Sequence, residues 1–249
     1  MQKLINHQLF SSFYRYFSTT QVQCSRSGSS SIWLNRQSRD PYTRDARSNQ
    51  FRARSAYKLI ELNRIHRLFK PGMAIVDLGF APGSWSQVAI REVGPSGKVI
   101  GVDLISTIPP PGVIGIQGDL LDPIVQQNIH NHLVNSGDTS TVLQDHKVAD
   151  VILSDMMMNT SGIKLRDHQF SIDLCDAALL FCAETLKSNG SFVCKYYSGD
   201  QDSALEKRIK TLFQTVKRVK PGACRKESRE AYFVGLKRKS NVSRQDMGF

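Results

Sequence analysis

Apolar positions along this chain fall into short runs separated by stretches with helical spacing. The run 75–78 breaks at Gly79, turns through Pro82 and Gly83, and restarts at Trp85 with a helical pattern over 85–93. Strand patterns follow at 98–104 and 113–118, then a helix at 122–134 and a fourth strand at 148–154. A long helix is expected over 167–187, with Cys175, Leu179 and Cys182 on one apolar face. Beyond it come a fifth strand at 190–197, a basic helix at 203–213, and strands at 215–219 and 231–237. Upstream, 53–69 reads as a helix whose apolar side carries Tyr57, Leu59, Leu62 and Leu68, ended by Pro71 and Gly72. Seven strands alternating with helices imply an α/β fold with a doubly wound, parallel sheet. The polar stretch 135–147 reads as a surface loop and 239–249 as a loose polar tail.

Length changes this picture little: 249 residues suffice for one such domain and an extension. Charge changes it more. The formal charge of +11 and a pI near 9.6 point to a polyanionic partner or to a compartment of basic proteins. No apolar run reaches membrane-spanning length, so no membrane role is expected. The five cysteines form no CxxC pair and no Cys/His ligand spacing, so reduced thiols and no metal are expected. Residues 1–39 hold no acid among many serines and several arginines, the composition of a mitochondrial presequence, and Arg15, Tyr16, Phe17 and Ser18 look like a matrix-peptidase site. A basic arm that stays attached and binds RNA is the alternative. The expected divisions are a transit peptide at 1–25, a basic linker at 26–50, a domain at 51–238 and the tail. Arg36, Arg39, Arg44, Arg47, Arg52 and Arg54, with Tyr42 and Phe51 among them, read as a basic surface for nucleic acid.

The glycine loop after the first strand lacks the GxGxxG spacing, and neither it nor 94–99 is a Walker loop. Asp77 before the loop and Asp103 at the end of the second strand instead suit a ligand with an ammonium group and a ribose diol, as S-adenosylmethionine has. Asp155 ends the fourth strand, Lys195 interrupts the apolar run FVCKYY, and Glu230 opens the seventh. The strand ends border the crevice where ligands bind in such sheets. Lys58, on the helix before the first strand, can complete a cluster of two cations and two anions.

The segments SAYKLIEL, VDLGFAPGSWSQV, GVDL, QGDL, LSDMMMNTSG, FVCKYYSG and ESREAYFVG, in this order across residues 50–238, resemble the FtsJ/RrmJ family of RNA ribose 2′-O-methyltransferases. With the presequence, the resemblance extends to mitochondrial members acting on a uridine of large-subunit ribosomal RNA. It implies a Rossmann-like S-adenosylmethionine-dependent methyltransferase fold with a seven-stranded, mostly parallel sheet, working in the mitochondrial matrix; a monomer is expected because no helix pattern presents a spare apolar face at long heptad spacing. The partner would be ribosomal RNA or the assembling mitochondrial large subunit. The family's Lys-Asp-Lys-Glu tetrad falls on Lys58, Asp155, Lys195 and Glu230. Its cofactor turn falls on Pro82, Gly83, Ser84 and Trp85, its ribose acid on Asp103 and its adenine-side acid on Asp119; Gly79, Leu120 and Asp155 complete the expected cofactor set. Lys195 would take or steer the proton of the 2′-hydroxyl, Lys58 would lower its pKa, Asp155 would hold it, and Glu230 would position the lysine or the ribose. Phe80 and Ser84 depart from the small residues of the family pattern, and Met157 and Met158 from its Ala-Pro. A ribosome-assembly factor whose RNA binding matters more than catalysis is the alternative function.

Overall fold

A computed structural model describes residues 40–134 and 147–249; the expected presequence and linker up to residue 39 and most of the 135–147 loop lie outside the described residues. Seven strands make one sheet: β1 (Ala74–Leu78), β2 (Lys98–Asp103), β3 (Val113–Gln117), β4 (Ala149–Ser154), β5 (Leu186–Tyr197), β6 (Phe213–Val219) and β7 (Glu230–Arg238). Their order is β3-β2-β1-β4-β5-β7-β6. The first five are parallel, and β7 inserts antiparallel between β5 and β6. The chain therefore reverses direction across the sheet between β1 and β4, and ligands of open α/β sheets bind at such a point. Leu78 pairs with Ser154, so Gly79 and Asp155 leave the sheet side by side.

Helices α1 (Pro41–Ser48), α2 (Ala56–His66), α3 (Ser84–Val93), α4 (Pro123–Leu133), α5 (Lys164–Thr185) and α6 (Asp202–Leu212) surround the strands. Alternate residues of each strand feed two cores, as the two-residue strand period requires. Val76 and Leu78 join α5 and α6 residues on one side, while Ile75 joins Leu59, Leu62, Trp85 and Val88 of α2 and α3 on the other. Cys175, Leu179 and Cys182 are buried in the first core. Among the described residues no helix is long and apolar enough to cross a membrane.

Several boundaries differ from the sequence pattern. Helix α2 stops at His66 because Arg67 takes a left-handed conformation, φ 52°, and returns its N–H to the Asn63 carbonyl. Helix α5 begins at Lys164, one turn earlier than expected, because Asp167 is not its cap: its carboxylate reaches back to the Ser161 and Gly162 N–H groups. Residues 41–48 of the expected linker form α1, with Ala46 buried. The expected loose tail is seated, since a 3₁₀ turn at Gln245–Met247 carries Met247 into the core beside α6.

Candidate active site

The cofactor turn is shaped by two glycines. Gly79 has φ +73° and a Cβ there would stand 2.6 Å from Met156 Cγ; Gly83 has φ +102°, open to glycine and strained for other residues. Phe80 and Ser84 have no positive φ, so the two departures carry no backbone penalty. Phe80 is buried over the sheet, where a Cβ on Gly101 would lie 2.5 Å from its ring, and Gly115 borders its far end. Gly101 in β2 thus makes room for the larger residue. Ser84 opens α3 and its Oγ meets Ser55 Oγ at 2.6 Å.

Asp103 lies half-buried at the end of β2, and its carboxylate accepts from the N–H groups of Ala81 and Ile105, both at 2.9 Å. That fixes the acid between the glycine turn and the following loop. Asp119, just beyond β3, accepts from Leu121 N–H at 2.9 Å. Leu120 contributes otherwise than a cofactor contact suggests: its side chain is in the core and its carbonyl accepts from Gln126. Asp77 is also withdrawn from any ligand ammonium. It is fully buried on the α3 side of β1, with Oδ2 accepting from Ser86 Oγ at 2.6 Å and Oδ1 unpartnered. Bare glycine backbone, carboxylates at the ends of β2, β3 and β4, and the crevice at the reversal point fit the methionine, ribose and adenine parts of S-adenosylmethionine. Among the described residues no cluster of His, Cys, Asp and Glu is arranged to hold a metal ion.

The four tetrad residues come together as two ion pairs. Lys195 Nζ, nearly buried, lies 3.0 Å from Asp155 Oδ1 and also donates to the Asp155 carbonyl at 2.6 Å. Lys58 Nζ lies 2.5 Å from Glu230 Oε1. Lys58 is therefore neutralised by Glu230, a different arrangement from a free cation acting on Lys195. Burial opposes the Glu230 carboxylate, but Lys58, helped by the Tyr232 hydroxyl and the Lys195 charge, outweighs it and holds its pKa below the ordinary value.

Tyr232, which sequence reasoning passed over, joins the pairs. Its hydroxyl is 2.6 Å from Glu230 Oε1 and 3.1 Å from Asp155 Oδ1. Burial and the two carboxylates push its pKa far up, so it remains a neutral donor. The signal was present: 230 and 232 alternate on one strand and share a face. Register does the rest, pairing Lys195 with Tyr232 and Tyr197 with Glu230. Helix α2 brings Lys58 to this antiparallel strand pair. Trp85 Nε1 donates to the Ser55 carbonyl at 2.9 Å, and Glu61 accepts from Gly222 and Ala223 N–H, so α2 is fastened to both the cofactor turn and the approach to β7.

Beside Lys195 lies a hollow lined by residues 156–160, Phe170 and Tyr197. The Tyr197 hydroxyl donates to Met157 Sδ at 2.8 Å and so tethers the segment in which Met157 and Met158 depart from the family pattern. Lys195 itself lines this hollow, so an acceptor hydroxyl entering it would meet that lysine.

A doubly wound sheet with β7 reversed, a glycine turn between two acid-ended strands, and this paired cluster define a methyltransferase that uses S-adenosylmethionine. The chain belongs to the FtsJ-like methyltransferase family, whose profile matches residues 51–238. It is 46% identical over 209 residues to the mitochondrial rRNA methyltransferase 2 of Schizosaccharomyces pombe, covering 83% of this chain and 95% of that protein. It is 38% identical over 234 residues to ribosomal RNA large subunit methyltransferase E of Rickettsia bellii, covering 92% and 98%. The crystal structure of a Plasmodium falciparum protein named as a ribosomal RNA methyltransferase superposes with a TM-score of 0.61 at 32% identity, over 76% of this chain and 98% of that one.

Proposed function

We propose that this protein methylates the 2′-hydroxyl of a uridine in mitochondrial large-subunit ribosomal RNA, acting as a monomer in the matrix. The observation that carries the reading is the Lys195–Asp155 pair, linked through Tyr232 to Glu230 and Lys58, between the cofactor crevice and an open hollow. The names of the relatives support ribosomal RNA as substrate and the mitochondrion as location. The acid-poor basic stretch 1–39 is consistent with import.

When bound, the cofactor supplies an electrophilic methyl group on a sulfonium. The protein must hold a ribose oxygen in line with that methyl and relieve it of its proton, because a neutral hydroxyl is a poor nucleophile. Lys195 is the group placed to accept or steer this proton, and Asp155, 3.0 Å away, holds its side chain. Lys58 and Glu230, already paired, present a preformed polar wall to the ribose. Asp103 and Asp119 would hold the nucleoside end of the cofactor, and the bare backbone of Gly79 and Gly83 would let it approach closely.

The test maps 2′-O-methyl groups across mitochondrial ribosomal RNA from cells carrying wild type or Lys195→Ala at equal abundance. The expected result is loss at one large-subunit uridine. An unchanged map overturns the catalytic reading in favour of an assembly factor or of another substrate, and large-subunit assembly that depends on the protein but not on Lys195 makes catalysis secondary to RNA binding.

A further inference from the structure

We infer that Arg52, which lies in the basic stretch that reads as an RNA-phosphate surface, is a positioning residue that laces the cofactor mouth shut from outside. Its Nη1 donates to the Pro82 carbonyl at 2.8 Å and also to the carbonyl of Ile108. Pro82 belongs to the glycine turn and Ile108 to the loop between β2 and β3, so one guanidinium spans the two lips of the crevice. The same lips are joined from within by Asp103, whose carboxylate accepts from Ala81 N–H in the turn and Ile105 N–H in the loop. An anion collects two N–H groups on the inner side and a cation collects two carbonyls on the outer side, a matched polarity that orders both lips.

Arg52 is itself fixed where this requires. Its backbone N–H donates to Gln87 Oε1 at 2.8 Å, while Gln87 Nε2 donates to the Gln50 carbonyl at 3.1 Å, so α3 grips residues 50–52 from both directions. Gln50 holds φ 57°, the bend that turns Arg52 toward the lips. The contact is close: a Cβ on Gly83 would meet Pro110 at 3.0 Å and Arg52 Nη1 at 3.1 Å, so turn, loop and guanidinium pack around a glycine that only fits bare. A phosphate contact needs only a positive charge, whereas here both carbonyls share one nitrogen, Nη1, whose two N–H bonds are fixed in the guanidinium plane in a way that a lysine ammonium on a flexible stem is not.

The inference rests on the cofactor alone and is indifferent to which nucleotide is methylated. The full chain is prepared as wild type, Arg52→Gln and Arg52→Lys. S-adenosylmethionine affinity is measured by calorimetry, hydrogen exchange of 80–84 and 104–110 is followed without cofactor, and binding of an RNA hairpin is titrated against salt. Both variants are expected to bind S-adenosylmethionine roughly tenfold more weakly, the scale of two hydrogen bonds to a charged group at a partly exposed site. Exchange should quicken in the two lips and nowhere else, and lysine should not rescue either signal. Wild-type cofactor affinity in the lysine variant overturns the inference. So does a glutamine variant whose cofactor affinity is intact while its salt slope drops by about one, the signature of a lost phosphate contact. Should Arg52→Gln fail to fold, Arg52→Lys alone decides, since it keeps the charge and loses the planar pair of N–H bonds on Nη1.

Discussion

Tyr232 has one hydroxyl proton and two carboxylates within reach, and this shortage ties Glu230 to Asp155. Any shift of charge on one acid is felt by the other through that proton. Asp77 poses the opposite problem, a carboxyl with too few partners. Burial pushes its pKa up to about 7, against the Ser86 hydrogen bond, with Asp155 and Asp103 adding their repulsion. The folded protein thus keeps a proton that the unfolded chain releases near 3.8, and stability is fully present below that value and falls as pH rises toward 7. Asp176, pushed up to about 6 by burial despite Arg208, adds to the same trend. Glu230 works in the other direction, its contribution being lost only as pH drops through its depressed value. Urea denaturation at pH 5 and pH 8 should show a clear fall in wild type and a smaller one in Asp77→Asn; equal falls would remove Asp77 as a cause. The carboxylate positions were legible in the sequence, but not their duties. Asp77 and Asp103 look alike as strand-end acids, and only the fold shows that one is sealed beneath α3 while the other lies at the crevice.

At the scale of elements, β2 and β3 owe a requirement to a residue outside them. Gly101 vacates space that Phe80 fills, while Gly115 makes room chiefly for Pro109 of the following loop, so turn, loop and sheet have to be read together. Gly101→Ala would force Phe80 aside and cost roughly 1–3 kcal/mol by overpacking. In a Phe80→Ala background the same substitution should cost under about 1 kcal/mol, and the double-mutant cycle, measured by chemical denaturation, gives the coupling. Purely additive costs would mean that Gly101 is needed for another reason. Hydrophobic patterning disclosed the strands and the glycine turn because each has a strong local period. It missed the true start of α5 at Lys164, where Asp167 lies in the first turn and reaches backward to Ser161 and Gly162. It could not give the reversal of β7, since strand direction leaves no mark on alternation, and so it could not bring Tyr232 to Lys195.

Over the whole molecule, a formal charge of +11 overstates the cations available to RNA. Arg208 forms a two-point bond with Asp176, Arg218 faces Glu206, and Arg238 is buried and donates to the Ala183 carbonyl. Lys226, in contrast, is exposed on the loop before β7, close in sequence to the tetrad's Glu230. Phosphate contacts release counterions, so each one lost lowers the dependence of log affinity on log salt by about one. Lys226→Ala should reduce the slope for an RNA hairpin by that amount. Arg208→Ala should leave the slope alone and lower the denaturation midpoint instead. If both variants shift the slope equally, the division between structural and binding cations fails. Composition signalled a polyanionic partner; which charges serve it depends on pairings between residues far apart in sequence.

Trp85 stands at the junction of these parts, 2% exposed, its indole N–H bonded to Ser55 and its ring 5.6 Å from that of Tyr232. The chain has two tryptophans, the other being Trp33. A Trp33→Phe protein therefore carries a single tryptophan, between the cofactor turn and the tetrad, which can be excited apart from the tyrosines and whose emission colour and lifetime give an optical record of ligand arrival without an attached dye.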